Sequence, residues 1–308
     1  MLNISCRRDH LFYATDDKTT VDININWDSC HLSPNGVTAL AYKEDGSLYE
    51  QSSPSSNANY ISINLPEGVY DIVLFNNSVS EYKYISFVNL DSTSTASAVT
   101  AQSKASTTDS IIVYPPDTLA TYVINGIEIN KQMVDYYYNK PDLSDSVSVL
   151  TYTVTPQRRT KLININVHVI GLIYALEAPT ATLNYVSDGC YLLQDTTLTT
   201  EVMQQFLLNT RTFDTGSTID GTLSQSATSF GLSGGSSYIL SIDFILLNSE
   251  HYPITIDVTD SVEYTYGYQP EININLEVEL PETIGSSDGG GFNTNVTDWN
   301  DKNISLTM

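Results

Sequence analysis

The sequence predicts an all-β chain folded as two tandem β-sandwiches with a C-terminal extension strand. Three observations carry that prediction: a composition rich in strand-forming residues, period-2 alternation of apolar and polar side chains, and turn residues between the alternating runs. Of the 308 residues, 41% are hydrophobic and only 16% charged, and 21 are Tyr. β-branched and aromatic residues fit a half-buried pleated surface, while the abundant Ser, Thr and Asn compete with helical backbone bonds. The length suits one large all-β unit or two domains of about 100–150 residues each.

In chain order, Val21-Asp22-Ile23-Asn24-Ile25-Asn26-Trp27 places apolar residues at odd positions, so one face packs and the other is wet. Ile61-Ser62-Ile63-Asn64-Leu65 repeats the pattern, and Ile-Asn-Ile-Asn recurs at 163–166 and 272–275. The last of these continues through Leu276-Glu277-Val278-Glu279-Leu280 as one long strand. Turn chemistry stands at Pro34-Asn35-Gly36, Glu44-Asp45-Gly46, Pro66-Glu67-Gly68, Asn125-Gly126 and Ser233-Gly234-Gly235. Short strands at that spacing read as sandwiches. The best helix candidate is Thr200–Leu208, where Thr200 would cap and Glu201 would favour the N-terminus.

A loose internal repeat divides the chain. Thr19–Asn26 resembles Thr160–Val167, and in each half a Gly turn later leads into a Tyr-bearing apolar strand, Pro66–Phe75 and Gly234–Leu247. The expected organisation is a signal remnant at 1–6, sandwiches at 7–135 and 136–280, and a linker plus strand at 281–308, with Tyr136-Tyr137-Tyr138 near the junction. Beyond the Gly/Ser-rich linker, Val296, Trp299, Ile304, Leu306 and Met308 form an apolar pattern that cannot make a sheet alone and must dock on its own domain or on another copy.

Charge and motifs narrow the function. Thirty-six acidic residues against 13 Lys plus Arg give a net charge of −23, which opposes a phosphate-tracking groove or electrostatic docking on anionic lipid. Nucleic acid is therefore excluded as a partner, and no apolar run reaches the ~18 residues of a membrane span. The sequence asks for no cofactor, metal or enzymatic activity. His10, His31, His168 and His251 are scattered, and His168 reads as a solvated strand residue. Asp214–Gly221 could be a calcium loop but lacks a bidentate Glu, so an Asp/Gly turn is the better reading. Glu277 and Glu279 share a strand face that reads as solvated, and Arg158-Arg159-Lys161 reads as an exposed interdomain loop open to proteolysis.

Cys6 follows Met1-Leu2-Asn3-Ile4-Ser5 and precedes Arg7 and Arg8, which resembles the end of a bacterial lipoprotein signal. Asn3 departs from the aliphatic residue expected there, and a cytosolic chain with a chance Cys is the alternative. Together, Cys6-Arg7-Arg8-Asp9, the Val21–Trp27 strand, Leu65-Pro66-Glu67-Gly68-Val69-Tyr70 running into Leu74-Phe75-Asn76, and the Phe292…Trp299 tail resemble the Bacteroidales fimbrillins. These are the lipoprotein subunits of type V pili and their fimbrillin-like relatives. The resemblance implies two transthyretin-like Greek-key sandwiches, export, an outer-membrane lipid anchor at Cys6 as the only membrane contact, and a role in cell adhesion. It also implies assembly: a protease removes the first strand, here Val21, Ile23, Ile25 and Trp27, and a neighbouring copy inserts its donor strand, here Val296, Trp299, Ile304, Leu306 and Met308. Head-to-tail donation of that kind builds a filament.

One departure bears on processing. Family processing is Arg-directed and follows the first strand, yet no Arg or Lys lies between Trp27 and Lys43. Another protease, or a subunit that keeps its strand, would account for this. Six matches to an Asp-Ser/Thr-apolar/Thr pattern, such as Asp117-Thr118-Leu119 and Asp260-Ser261-Val262, resemble these bacteria's O-glycosylation signal, against roughly two or three expected from composition. The second reading is an outer-membrane lipoprotein that does not polymerise and binds a glycan or protein from host or bacterial surfaces, with Tyr136–Tyr138 as a sugar-stacking face.

Overall fold

The computed structural model describes residues 18–52, 57–91, 100–104, 111–138, 150–194, 196–235, 237–267 and 269–282. The alternating runs become strands that bury their apolar faces against a second sheet. Thr19–Ile25 (β1) lies between Tyr60–Leu65 (β4), antiparallel to it, and Leu150–Val154 (β10), parallel to it. Opposite them stands a sheet ordered Gln157–Arg158 (β11), Ala120–Ile129 (β9), Gly68–Asn76 (β5), Val37–Lys43 (β2) and Leu48–Ser52 (β3). Val21, Ile23 and Ile63 from the first sheet meet Ala39, Ile72 and Leu74 from the second in one core.

The second unit repeats this plan. One sheet runs Thr210–Phe213 (β16), Gly221–Ser229 (β17), Lys161–Ile170 (β12), Glu271–Glu279 (β21) and Val262–Thr265 (β20). The facing sheet runs His251–Asp257 (β19), Ile239–Ile245 (β18), Thr180–Val186 (β13), Val202–Leu207 (β15) and Ile112–Val113 (β8). The order β10-β1-β4 thus recurs as β21-β12-β17, and β9-β5-β2-β3 as β19-β18-β13-β15, with the same parallel and antiparallel senses. The Thr19/Thr160 and Pro66/Gly234 correspondences in the sequence are therefore correspondences of place: β1 matches β12, and β5 matches β18.

A fifth, small sheet, Ile85–Val88 (β6), Thr100–Ser103 (β7) and Gly189–Tyr191 (β14), joins the units. It covers the outer face of β2 and β5, where Leu40, Tyr42, Val73 and Phe75 pack with Ile85, Cys190, Leu192 and Phe230. Burial on both faces explains the near-continuous apolar run of β2. Because β14 and Phe230 belong to the second unit, and β8 pairs with β15, the β5–β9 crossover ties the two units together.

Several sequence expectations are corrected. Residues 202–207 form a strand, not a helix, because β13 offers an antiparallel partner and Gln204 and Phe206 both turn inward. Asn125-Gly126 makes no hairpin turn: it is a bulge inside β9, where Gly126 at φ +66° donates its N–H to Asp71 Oδ1 at 2.8 Å. The Tyr136–Tyr138 run ends an α-helix, Lys131–Tyr138 (α1), opened by Met133 N–H donating to Asn130 Oδ1 at 3.1 Å. β10 lies beyond residue 135 but pairs with β1 of the first unit.

Candidate functional site: the slot of the first strand

β1 forms where it does because its alternation matches the pleat. Val21 and Ile23 are wholly buried, and Ile25 and Trp27 nearly so. Trp27 is locked by its indole N–H donating to the Ala58 carbonyl at 2.9 Å. The outer face is polar: Asp22 Oδ1 accepts from the hydroxyls of Tyr60 and Ser62, each at 2.5 Å, and Thr20 Oγ1 donates to Asn64 Oδ1 at 2.9 Å.

Three of the four predicted first-strand residues, Val21, Ile23 and Ile25, lie in the middle strand of a three-stranded sheet, whereas Trp27 falls just past the strand's end, where the backbone turns into the 3₁₀ turn while the indole stays in the core. The strand's backbone bonds run to β4 on one side and β10 on the other, so removing it would open a slot with two unpaired backbone edges and an apolar floor. An incoming strand would satisfy both edges by running antiparallel to β4 and parallel to β10. β10 was not singled out in the sequence; the signal was the alternation Leu150-Thr151-Tyr152-Thr153-Val154, without anything to show that its partner lies about 130 residues earlier.

The chain leaving the strand is pinned. Asp28–Cys30 makes a 3₁₀ turn, Ser29 Oγ donates to the Pro156 carbonyl at 3.0 Å, and Arg158 Nε donates to the Cys30 carbonyl at 2.8 Å. Cys30 Sγ donates to the Trp27 carbonyl at 3.3 Å, and burial raises its thiol pKa, the opposite of a reactive cysteine. The next residues are more open, with His31, Ser33 and Asn35 exposed. Cys6 and the predicted donor residues Val296, Trp299, Ile304, Leu306 and Met308 lie outside the described residues.

The remaining polar candidates have structural roles. His168 is a clamp rather than a merely solvated side chain: Nε2 lies 2.9 Å from Asp214 Oδ2 and Nδ1 lies 3.1 Å from Glu277 Oε2. Both bonds form only when both ring nitrogens carry protons, and the Asp214 carboxylate, aided by Glu277, raises the imidazole pKa above 6.5. Asp214–Gly221 is the expected turn: Asp214 N–H donates to the Asp220 carbonyl, and Asp220 Oδ1 accepts from Gly171 N–H at 2.8 Å. Arg158, Arg159 and Lys161 are not on an open loop: Arg158 ends β11, Lys161 begins β12, Arg159 lies in the two-residue link between them, and all three are half-buried. Among the described residues no group of three or more His, Cys, Asp or Glu could hold a metal, and no helix is long and apolar enough to cross a membrane.

A family model described as a domain of unknown function (DUF5119) matches residues 5–208. No curated protein matches the chain in sequence. Among solved structures, the chain is similar to a candidate adhesin from Bacteroides ovatus ATCC 8483, at 18% identity over 87% of this chain and 94% of that one, with a TM-score of 0.59. It is also similar to a candidate polysaccharide-binding protein (DUF1812) from Bacteroides thetaiotaomicron VPI-5482, at 12% identity, 86% and 92% coverage and a TM-score of 0.53. A candidate adhesin from the same strain gives 10% identity, 85% and 92% coverage and a TM-score of 0.50. At these identities the likeness is one of fold, and it is the all-β sandwich fold.

Proposed function

We propose that this chain, which belongs to the DUF5119 family, is a structural subunit of a cell-surface fimbria that assembles by β-strand exchange and supports adhesion. One observation carries the reading: β1 is a central strand with a buried apolar face, held between two strands that could each pair with a replacement. In assembly, the Val21–Trp27 strand leaves and the Val296–Met308 segment of another copy takes its slot. Cys6 carries the lipid that anchors the exported chain in the outer membrane. Likeness in fold to two candidate adhesins from Bacteroides, over 87% and 85% of this chain, supports the adhesive role.

The test uses a chain beginning at Asp28 mixed with a synthetic peptide of residues 292–308. The peptide should bind and raise the unfolding temperature, and a peptide with Trp299, Ile304 and Leu306 changed to Ser should not. Equal effects from both peptides would sink the strand-exchange reading.

A second reading is a lipoprotein that keeps β1 and binds glycan or protein ligands. The absence of Lys and Arg between Trp27 and Lys43 favours it, as does the fold shared with a candidate polysaccharide-binding protein. The stacking face expected at Tyr136–Tyr138 falls on side chains outside the described ones, whereas Tyr264 and Tyr266 stand exposed with ring centroids 6.5 Å apart and planes 19° apart.

A further inference from the structure

One end of the second unit leaves its apolar side chains in the open. Ile170, Ile173, Leu176, Leu207, Ile219 and Leu247 are each more than a third exposed, and the only other large aliphatic side chains so exposed among the described residues are Val69 and Ile111. Backbone bonds gather the six. Ile173 N–H donates to the Ile219 carbonyl at 2.9 Å, Leu247 N–H to the Tyr174 carbonyl at 2.9 Å, and Leu176 N–H to the Ile245 carbonyl at 2.7 Å. Leu208 N–H donates to the Pro179 carbonyl at 3.0 Å, which brings Leu207 to the same end. The core does not need these side chains, because Leu172, Ala175 and Leu246 beside them already fill it. Exposed aliphatic residues gathered on one surface mark an interaction site.

The described chain also ends here. Leu280 N–H donates to the Ile170 carbonyl at 2.9 Å, and Glu282, the last described residue, pairs its carboxylate with the Tyr174 hydroxyl. Thirteen residues, 283–295, separate Glu282 from Val296 and can span at most about 45 Å. A copy that takes up the Val296–Met308 strand therefore presents its slot close to this apolar end.

The mouth of the slot lies at the other end of the molecule. β1 finishes at the junction of the units, where Arg158 bonds the Cys30 carbonyl, so its start, Thr19 beside Leu65, lies at the free end of the first unit. A strand replacing β1 in its own direction enters there. A hollow of about 460 Å³ stands at that mouth, lined by Tyr49, Pro66, Val69 and Tyr70 with Lys43 and three carboxylates. Tyr49 meets Tyr70 edge-on, with ring centroids 5.7 Å apart.

We propose that the apolar end of the second unit docks on this hollow in a second copy, the one whose slot receives the strand. The inference rests on strand exchange as the mode of assembly. Exit and entry then lie at opposite ends, and the contact repeats head to tail without closing. Six side chains fall short of the ~20–30 residues a side of a stand-alone interface, so the contact forms between copies that the strand tethers at high effective concentration.

The test is cross-linking on the native surface of a full chain carrying Val69→Cys and Leu176→Cys, treated with a short bismaleimide and run on boiled denaturing gels. Cys30 and Cys190 are buried and do not compete. Multimers that survive boiling should appear, whereas Val69→Cys with Tyr266→Cys should give none. Tyr266 is 86% exposed but follows β20 at the opposite end of its sheet, where Thr265 pairs with Glu271. An unboiled ladder without the Val69–Leu176 cross-link would overturn the docking and leave strand exchange standing. Loss of both would overturn strand exchange and the docking with it. Equal cross-linking through Tyr266, or in a chain lacking 292–308, would overturn the tethered contact. A Leu176→Cys thiol that reacts only once 292–308 is deleted would assign the apolar end to the chain's own tail instead.

Discussion

Truncating Ile23 to Ala tests whether β1 is built into the core. Ile23 has no exposed surface, sits mid-strand, and faces Ile61 on β4 and Tyr152 on β10. Removing three carbon groups forfeits roughly 2.4 kcal/mol of transfer free energy at about 0.8 kcal/mol each, before any cavity is counted. With an unrelaxed cavity the loss should be about 3 kcal/mol, inside the ~2–5 kcal/mol range for Ile→Ala in cores. Asn24→Ala, one residue on but pointing outward, should stay within about 0.5 kcal/mol. Urea denaturation with an unchanged m-value reads both numbers. The same scale explains what losing the strand means. Four buried side chains at roughly 1.5–3 kcal/mol each approach the ~5–15 kcal/mol that holds a whole domain. A subunit stripped of β1 therefore needs a replacement strand. If Ile23→Ala cost under about 1 kcal/mol, β1 would not be part of the packed core, and the slot argument would fail with it.

Three further outcomes follow from particular contacts. His168 has a folded pKa raised above 6.5 by Asp214 and Glu277, so its contribution is fully present below about pH 6.5 and fades as pH rises through the folded value. Denaturation of wild type and His168→Gln should accordingly diverge at acidic pH and converge at alkaline pH, and a gap that grew with pH would contradict the clamp. Gly221→Ala would put a Cβ 2.3 Å from the Thr212 carbonyl oxygen, so it should destabilise by about 1–3 kcal/mol or more in the same assay, and a neutral result would mean the β16–β17 pairing is looser than described. Gln204 is buried, its Nε2 donating to the Thr228 carbonyl at 2.9 Å while Oε1 has no partner among the described residues. Gln204→Leu should then lie within about 1 kcal/mol of wild type, one lost bond offsetting one relieved acceptor. A loss above about 2 kcal/mol would show that the acceptor is satisfied after all.

The strands that alternate strictly were legible because half-buried sheets force a period of two: β1, β4, β12 and β21 all fall on runs read directly from the sequence. The duplication was visible in Thr19 and Thr160 for the same reason. Parallel pairing of β1 with β10 was not legible, since it links segments about 130 residues apart and leaves no local mark. The 200–208 segment misled because a Thr cap and two Gln residues suit a helix, and only the partner strand β13 decides otherwise. The joint sheet was hidden as well: β14 is three residues long, and its worth lies in covering Phe75 and Val73 of the other unit. The Arg158-Arg159-Lys161 cluster was plain in the sequence, but reading it as an open loop missed β11 and β12, which begin and end that short stretch and leave only two residues between them.

Strand exchange between copies is the central claim, and the native surface tests it most directly. The outer-membrane fraction would be run on denaturing gels, unboiled and boiled, and probed for this chain, with the mature N-terminus determined. The account predicts a ladder that collapses to one band on boiling, with an N-terminus beyond Trp27. A single band in both lanes, still carrying a lipidated Cys6 and an intact Val21–Trp27 strand, would contradict it and leave the ligand-binding lipoprotein in its place.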